Sequence, residues 1–152
     1  MLSSALIAFG HFMAFFSLTA AVVTKLVLIS DSMSVETAQR VRRADRVAGM
    51  AAVLALVFGF LRVLYFDKGA DYYFANTFFQ IKLGLFFAAA SLSIYATVQF
   101  ARWGTALREN TVPEVSIALV KRIKRILHWE LIALAGVLLC ASLMARGFGI
   151  QE

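Results

Sequence analysis

Four long apolar segments dominate the sequence and constrain its fold more than any other feature. They run approximately over residues 2–29, 46–66, 77–101 and 123–145. Each is long enough to cross the hydrocarbon core of a bilayer, which takes about 20 helical residues. Because backbone N–H and C=O groups in lipid must bond within their own segment, a helix is the economical form for each span. The sequence therefore predicts an all-α integral membrane protein, a four-helix transmembrane bundle.

The overall composition agrees with a membrane protein. Hydrophobic residues make up 61% of the 152 residues and charged residues 16%, a balance too apolar for the surface of a soluble domain. Four spans and their linkers use the whole chain, so we expect a single transmembrane domain over residues 1–152. The one cysteine, Cys140, excludes an internal disulfide, a cysteine cluster for a metal and the covalent attachment of c-type haem. Any haem would be held non-covalently.

Lysine and arginine are concentrated on two of the three linkers. Those that flank the first linker are Arg40, Arg42, Arg43 and Arg46, and those that flank the third are Arg102, Arg108, Lys121, Arg122, Lys124 and Arg125. The second linker proper holds only Lys68. Positive residues favour the cytoplasmic side, so we expect a bacterial inner-membrane protein with both termini outside, N-out and C-out. The net charge of +6 then reflects topology and attraction to anionic lipids of the bilayer, and it requires no nucleic-acid partner.

Ionisable residues inside the predicted spans fall into an inner and an outer layer. In the inner layer, Lys25 and Glu130 lie about 6 and about 10 Å from the predicted cytoplasmic boundary, at about 1.5 Å per helical residue. The first and last helices run in opposite directions, so a structural ion pair between Lys25 and Glu130 forms easily. His128 follows Lys124 by one turn and is expected near the lipid headgroups.

The outer layer is unbalanced in charge. Arg62 and Lys82 lie at similar depth, yet no carboxylate occurs in the membrane segments on that side, and the nearest are Asp67 and Asp71 in the second linker. One interpretation is that both cations extend outward to these aspartates, as their long side chains allow. The other is that they bind an anionic ligand.

Haem b suits the second interpretation. Its propionates need cationic partners, which Arg62 and Lys82 would supply, and its iron would lie deeper, where His11 presents an imidazole nitrogen. The aromatic residues expected along the slot are Phe12, Phe15, Phe58, Phe86 and Tyr65. Helix rise separates His11 from His128 by roughly 10 Å or more, so the two histidines are not expected to share one iron. The sixth iron ligand is left open.

Several stretches of the sequence resemble a known group of proteins. They are GHFMAF near the start, LRVLYFDKGADYYFANTFFQIKLGLF in the middle, and HWELIAL and LMARG near the end. On these stretches the chain is identified as a member of an uncharacterised family of small bacterial inner-membrane proteins, of the domain-of-unknown-function type. The resemblance covers nearly the full length and implies the membrane bundle, but it implies no activity.

A more distant resemblance is to the J-type protoporphyrinogen IX oxidase, a membrane enzyme that holds haem b in a helical bundle. The matching features are His11 early in the first helix, Lys25 near the inner end of that helix, the K-L-x-L stretch that begins at Lys82, and Glu130 early in the last helix. This resemblance implies that His11 is the haem ligand and that Lys82 contacts the cofactor or the substrate. The proline expected after the glutamate of the oxidase is absent from this chain.

Two functional hypotheses follow. The first is a haem b-binding inner-membrane redox protein that oxidises a porphyrinogen-like substrate or passes electrons to quinone. The second is a non-catalytic membrane subunit or scaffold that interacts with lipid headgroups or a partner protein. Both are compatible with a homo-oligomer. A visible absorption spectrum of the purified protein separates them.

Overall fold

The computed structural model of the protein describes residues 2–66 and 69–149. Its helices are α1 (Leu2–Leu28), α2 (Val35–Leu61), α3 (Ala70–Phe74), α4 (Thr77–Arg102), α5 (Gly104–Arg108) and α6 (Ile117–Ala145). A π-helical turn, Arg62–Phe66, continues α2, and the described residues contain no strand. Four helical segments, namely α1, α2 with its π-helical turn, α4 and α6, are each long and apolar enough to cross a membrane. The predicted all-α fold with four spans is confirmed.

The outward faces of the spans are apolar. Phe9 on α1, Val53 on α2, Ile94 on α4 and Leu139 on α6 are each between 61% and 63% exposed. A soluble protein rarely exposes large apolar side chains on every face, whereas hydrocarbon solvates them. The molecule is therefore a multi-pass membrane protein.

The second span begins earlier than hydropathy predicts. α2 begins at Val35 rather than near residue 46, because Ser34 caps it: the Ser34 hydroxyl accepts a hydrogen bond from the Thr37 N–H at 3.2 Å. Hydropathy marks where a helix enters lipid, but the cap marks where the helix starts. As a consequence, Asp45 lies within α2 and not in a linker.

The last span is extended in the same way. α6 begins at Ile117 rather than near residue 123, and the Ser116 hydroxyl accepts from the Leu119 N–H at 3.2 Å. Pro113, which the sequence suggests as the opening of this extension, lies in irregular chain before it.

The four spans form two helical hairpins. α1 packs along α2, α4 packs along α6, and the hairpins meet chiefly through α1 and α6. Small residues permit this packing: Ala48 and Ala51 of α2 are buried, and a Cβ on Gly136 of α6 would lie 2.8 Å from a methyl carbon of Leu85 on α4. α2 and α4 touch one another less. Their boundary is called the α2–α4 seam below.

Asn76, which is fully buried, links the start of α4 to the segment after α6. It lies at the end of the bundle where the chain passes from α2 to α4. Asn76 caps α4, because its Oδ1 accepts from the Phe78 N–H at 2.9 Å. Its Nδ2 donates to the Phe148 carbonyl at 2.9 Å, and the Thr77 N–H donates to the Gly149 carbonyl at 3.1 Å. The segment after α6 is thereby tied to the start of α4.

Candidate functional site

A cavity of about 350 Å³ lies inside the bundle, toward the predicted outer end. All four spans contribute to its wall, which is mainly aromatic and aliphatic. The lining residues are His11, Phe12, Phe15, Phe16 and Thr19 from α1, Ala55, Leu56, Gly59, Phe60 and Val63 from α2 and its π-helical turn, Phe79, Lys82, Leu83 and Phe86 from α4, and Val137, Leu138 and Ala141 from α6. We call this space the outer cavity. His11 and Lys82 are the ionisable residues in its wall.

His11 is held in a defined orientation by α2. Its Nδ1 lies 2.9 Å from the Ala55 carbonyl oxygen, and because a carbonyl can only accept, Nδ1 carries the proton and Nε2 carries the lone pair. The ring lies against Gly59, where a Cβ would come within 3.1 Å of the imidazole Cε1. The missing side chain at Gly59 therefore makes room for the imidazole.

The two outer cations differ in position. Lys82, in the second turn of α4, is half-buried, lines the outer cavity, and its Nζ lies 5.1 Å from the centroid of the Phe79 ring. Arg62, where α2 passes into its π-helical turn, is not part of the lining. Its Cζ lies 5.6 Å from the centroid of the Phe12 ring, and Phe12 does line the cavity. The structure thus brings His11 and Lys82 to one cavity and places Arg62 beside its wall.

One of the two acidic linker residues that the sequence offers as partners for Arg62 and Lys82 lies within the described residues. Asp67 and the linker residue Lys68 lie outside the described residues. Asp71 is described, and no ion pair joins it to Arg62 or Lys82 in residues 2–66 and 69–149.

The aromatic lining agrees in part with expectation. Phe12, Phe15 and Phe86 line the outer cavity as predicted. Phe58 instead packs against Gly10, and Tyr65 is 74% exposed. The cavity is also lined by residues that were not predicted, among them Phe16, Thr19, Phe60, Val63 and Phe79. Helical periodicity could have found them, since residues spaced by three, four and seven share one helix face.

His128 lies apart from this cavity. It is exposed, and its Nδ1 donates to the Lys124 carbonyl at 2.7 Å within α6. It is not among the residues that line the outer cavity.

The inner layer contains an ion pair, but its acidic partner is not the predicted one. Lys25 Nζ lies 3.0 Å from Asp45 Oδ1, with Lys25 fully buried and Asp45 7% exposed. The predicted pair of Lys25 with Glu130 is therefore wrong in its partner. The cause is the early start of α2, which carries Asp45 onto the face that packs on α1. Helical side chains tilt toward the helix N-terminus. Because α1 and α2 run in opposite directions, the side chains of Lys25 and Asp45 extend toward each other.

Glu130 lies beside this pair without joining it. Lys25, Asp45 and the Ser93 side chain all act electrostatically on its carboxylate. Glu130 is 2% exposed, and its Oε2 is buried without a hydrogen-bond partner among residues 2–66 and 69–149. It lines a second space of about 240 Å³ along the α2–α4 seam, the inner cavity, together with Ser93 and Thr97.

Comparison with known proteins identifies the chain at the level of the family. A family model described as a predicted membrane protein, DUF2214, matches residues 3–149. The chain belongs to the DUF2214 family. This match confirms the expected membership of an uncharacterised membrane family. The matched residues of this DUF2214 protein include all those that line the two cavities. No curated protein and no solved structure matches the chain.

Proposed function

We propose that this DUF2214 protein is a haem b-binding redox protein of the bacterial inner membrane, with the cofactor in the outer cavity. The observation that carries the proposal is an oriented imidazole and a lysine ammonium on the walls of one otherwise apolar cavity. A porphyrin requires that combination of an axial nitrogen, apolar walls and a cation for a propionate.

The residues present fit the chemistry of haem. Metal-binding histidines commonly donate their second ring N–H to a carbonyl or carboxylate, which fixes the ring and its tautomer, and the bond from His11 Nδ1 to the Ala55 carbonyl is of this kind. The cavity volume of about 350 Å³ lies at the lower end of the range of about 300–1,000 Å³ for cofactor and ligand sites. A porphyrin brings its own nitrogen ligands, so a single histidine suffices.

Each residue has a defined task in this proposal. His11 would bind the iron through Nε2, Lys82 would pair with one propionate, and Arg62 would pair with the other at the edge of the cavity. The bound haem would supply one-electron chemistry. A porphyrinogen-like compound or quinone would be the partner in electron transfer, and the resemblance to the J-type oxidase favours the porphyrinogen.

A second candidate function, a non-catalytic membrane subunit or scaffold, is favoured by one observation. Both outer cations lie over aromatic rings of the same chain, Arg62 over Phe12 and Lys82 over Phe79. A cation–π contact lowers the cost of a buried cation by about 0.5–2 kcal/mol. The two cations therefore have favourable surroundings within the chain without a cofactor, and they would be available to lipid headgroups or a partner protein.

The visible spectrum tests both candidates. We expect protein produced with ample haem supply and purified in mild detergent to show a Soret band. His11→Ala should remove the band, and His128→Ala, the matched control on an exposed histidine, should keep it. Added imidazole should restore a band to His11→Ala if that variant keeps its cavity. Colourless wild-type protein of normal helicity would refute haem binding and favour the subunit or scaffold.

A further inference from the structure

The inner cavity adjoins a polar cluster to which all four spans contribute. α1 provides Lys25, α2 provides Asp45, α4 provides Ser93 and Thr97, and α6 provides Glu130. Lys25, Asp45 and Glu130 are all buried. Buried ionisable groups in a membrane protein are costly and therefore mark sites of function more often than other positions do.

The donors in the cluster are divided unequally between its two carboxylates. Asp45 Oδ1 accepts from Lys25 Nζ at 3.0 Å and from Thr97 Oγ1 at 3.1 Å. Glu130 lies near the Ser93 hydroxyl, and its Oε2 has no hydrogen-bond donor in the part of the chain that the structure describes. Asp45 is therefore the carboxyl group that pairs with Lys25, and Glu130 is the carboxyl group that lies outside this pair.

Other charged groups near the cluster do not change this balance. Tyr95 of α4 lies between Ser93 and Thr97 in sequence, and its ring lies under the guanidinium of Arg122, 4.7 Å from centroid to Cζ. Arg46, next to Asp45 in sequence, is exposed. With both carboxylates ionised, the three buried groups Lys25, Asp45 and Glu130 would carry a net charge of −1, which one bound proton brings to zero.

We propose that Glu130 is a reversible proton-binding site within the membrane. The ligand is a proton delivered from water: the Glu130 carboxylate takes it up to become a carboxylic acid, and the cluster changes by one unit of charge. The inner cavity provides the space for exchange. Its volume of about 240 Å³ is larger than the roughly 30 Å³ that one water molecule occupies in the liquid, and Ser93, Thr97 and Glu130 supply the polar partners that an internal water needs.

The site does not depend on haem. The inner and outer cavities have a single lining residue in common, Phe86, and neither His11 nor Lys82 belongs to the cluster. Failure of the haem proposal would therefore leave this one intact, and the reverse also holds.

Infrared titration of the full chain, in detergent or in lipid nanodiscs, tests the proposal with the proton itself as the probe. We expect one carbonyl band of a buried carboxylic acid that appears and disappears with pH as a single protonation. Glu130→Gln should abolish this band, whereas Glu36→Gln should keep it, because Glu36 is exposed and paired with Arg40. If Glu130→Gln does not fold, Glu130→Asp should shift the band instead of removing it.

Two further arms address the cluster and a competing ligand. Asp45→Asn leaves Glu130 as the one carboxyl group beside Lys25, so the midpoint of the titration should move to lower pH. The midpoint should be the same in sodium chloride and in choline chloride. A midpoint that moves with sodium would overturn the proposal in favour of a monovalent-cation site. A spectrum without any Glu130-dependent band across the pH range would overturn it as well.

Discussion

The buried pair of Lys25 and Asp45 allows a prediction about which of its two members is more important for stability. Lys25→Met leaves Asp45 and Glu130 as two buried carboxyl groups without a cation. Asp45→Asn leaves Lys25 with Glu130 already beside it, and the new amide can still accept from Thr97. We therefore expect the loss of the lysine to destabilise the protein more than the loss of the aspartate.

The structure sets the expected magnitudes. Removing one partner of a fully buried ion pair costs about 3–5 kcal/mol in the free energy of unfolding, and Lys25 is fully buried, so Lys25→Met should fall in that range. Asp45→Asn should cost about 1–3 kcal/mol, the value for losing a hydrogen bond to a charged group, because Glu130 takes over as counter-ion. Glu36→Gln is the control on an exposed pair, where we expect about 0.5 kcal/mol or less.

Reversible unfolding in mixed micelles at neutral pH, followed by helical circular dichroism, measures all three variants on one scale. Equal losses of unfolding free energy for Lys25→Met and Asp45→Asn would refute the idea that Glu130 becomes the counter-ion of Lys25 when residue 45 is neutral. A larger loss for Asp45→Asn would refute it more strongly, since it would mean that Glu130 contributes nothing when Asp45 is neutral.

Three other predictions concern the bundle and its orientation. Gly149→Ala should lower the free energy of unfolding by about 1–3 kcal/mol in the same assay, because Gly149 has a φ of +86° and a Cβ there would lie 2.6 Å from a phenylalanine ring of α4. Gly147→Ala is the control, with a φ of +84° and no atom within 4 Å of the new Cβ, and it should lose less stability. Gly59→Ala should displace the imidazole of His11 and weaken the Soret band, while helicity stays normal. An unchanged spectrum in a haem-binding protein would argue against His11 as ligand. A reporter fused after Glu152 should be active if it requires the periplasm and silent if it requires the cytoplasm, and the opposite pattern would reverse the predicted orientation.

Much of the fold follows from hydropathy, because lipid imposes one rule on every span. Four segments of sufficient length and apolarity predict four helices, and the structure contains them at nearly the expected places. The residues at which two of these helices begin are harder to predict from hydropathy. Residues 35–45 and 117–122 are polar or mixed in sequence, and it is the caps at Ser34 and Ser116, not apolarity, that begin these helices.

The inner site could be predicted only in part. Lys25 and Glu130 are visible as ionisable residues within apolar segments, but hydropathy places Asp45 in a linker, so the sequence predicts the wrong carboxylate as the partner of Lys25. The hydroxyls of Ser93 and Thr97 carry no signal of their own in a sequence. Their role depends on which face of α4 meets α2 and α6, and that face is set by the packing of small residues across the whole bundle.

Asn76 shows a different limit. A polar residue before an apolar segment predicts a helix cap, which Asn76 does provide. Its second contact, with the Phe148 carbonyl, joins positions far apart in the chain, and no local pattern predicts such a partner.

The α2–α4 seam has a consequence for how any guest molecule would reach the interior. All four spans line both cavities, and the α2–α4 seam is the boundary where the two hairpins touch least, so an apolar guest would enter most easily from the acyl chains through this seam. A hydrophobic guest would first dissolve in the bilayer and become concentrated there. Occupancy by such a guest would then depend on its mole fraction in lipid rather than on its concentration in water.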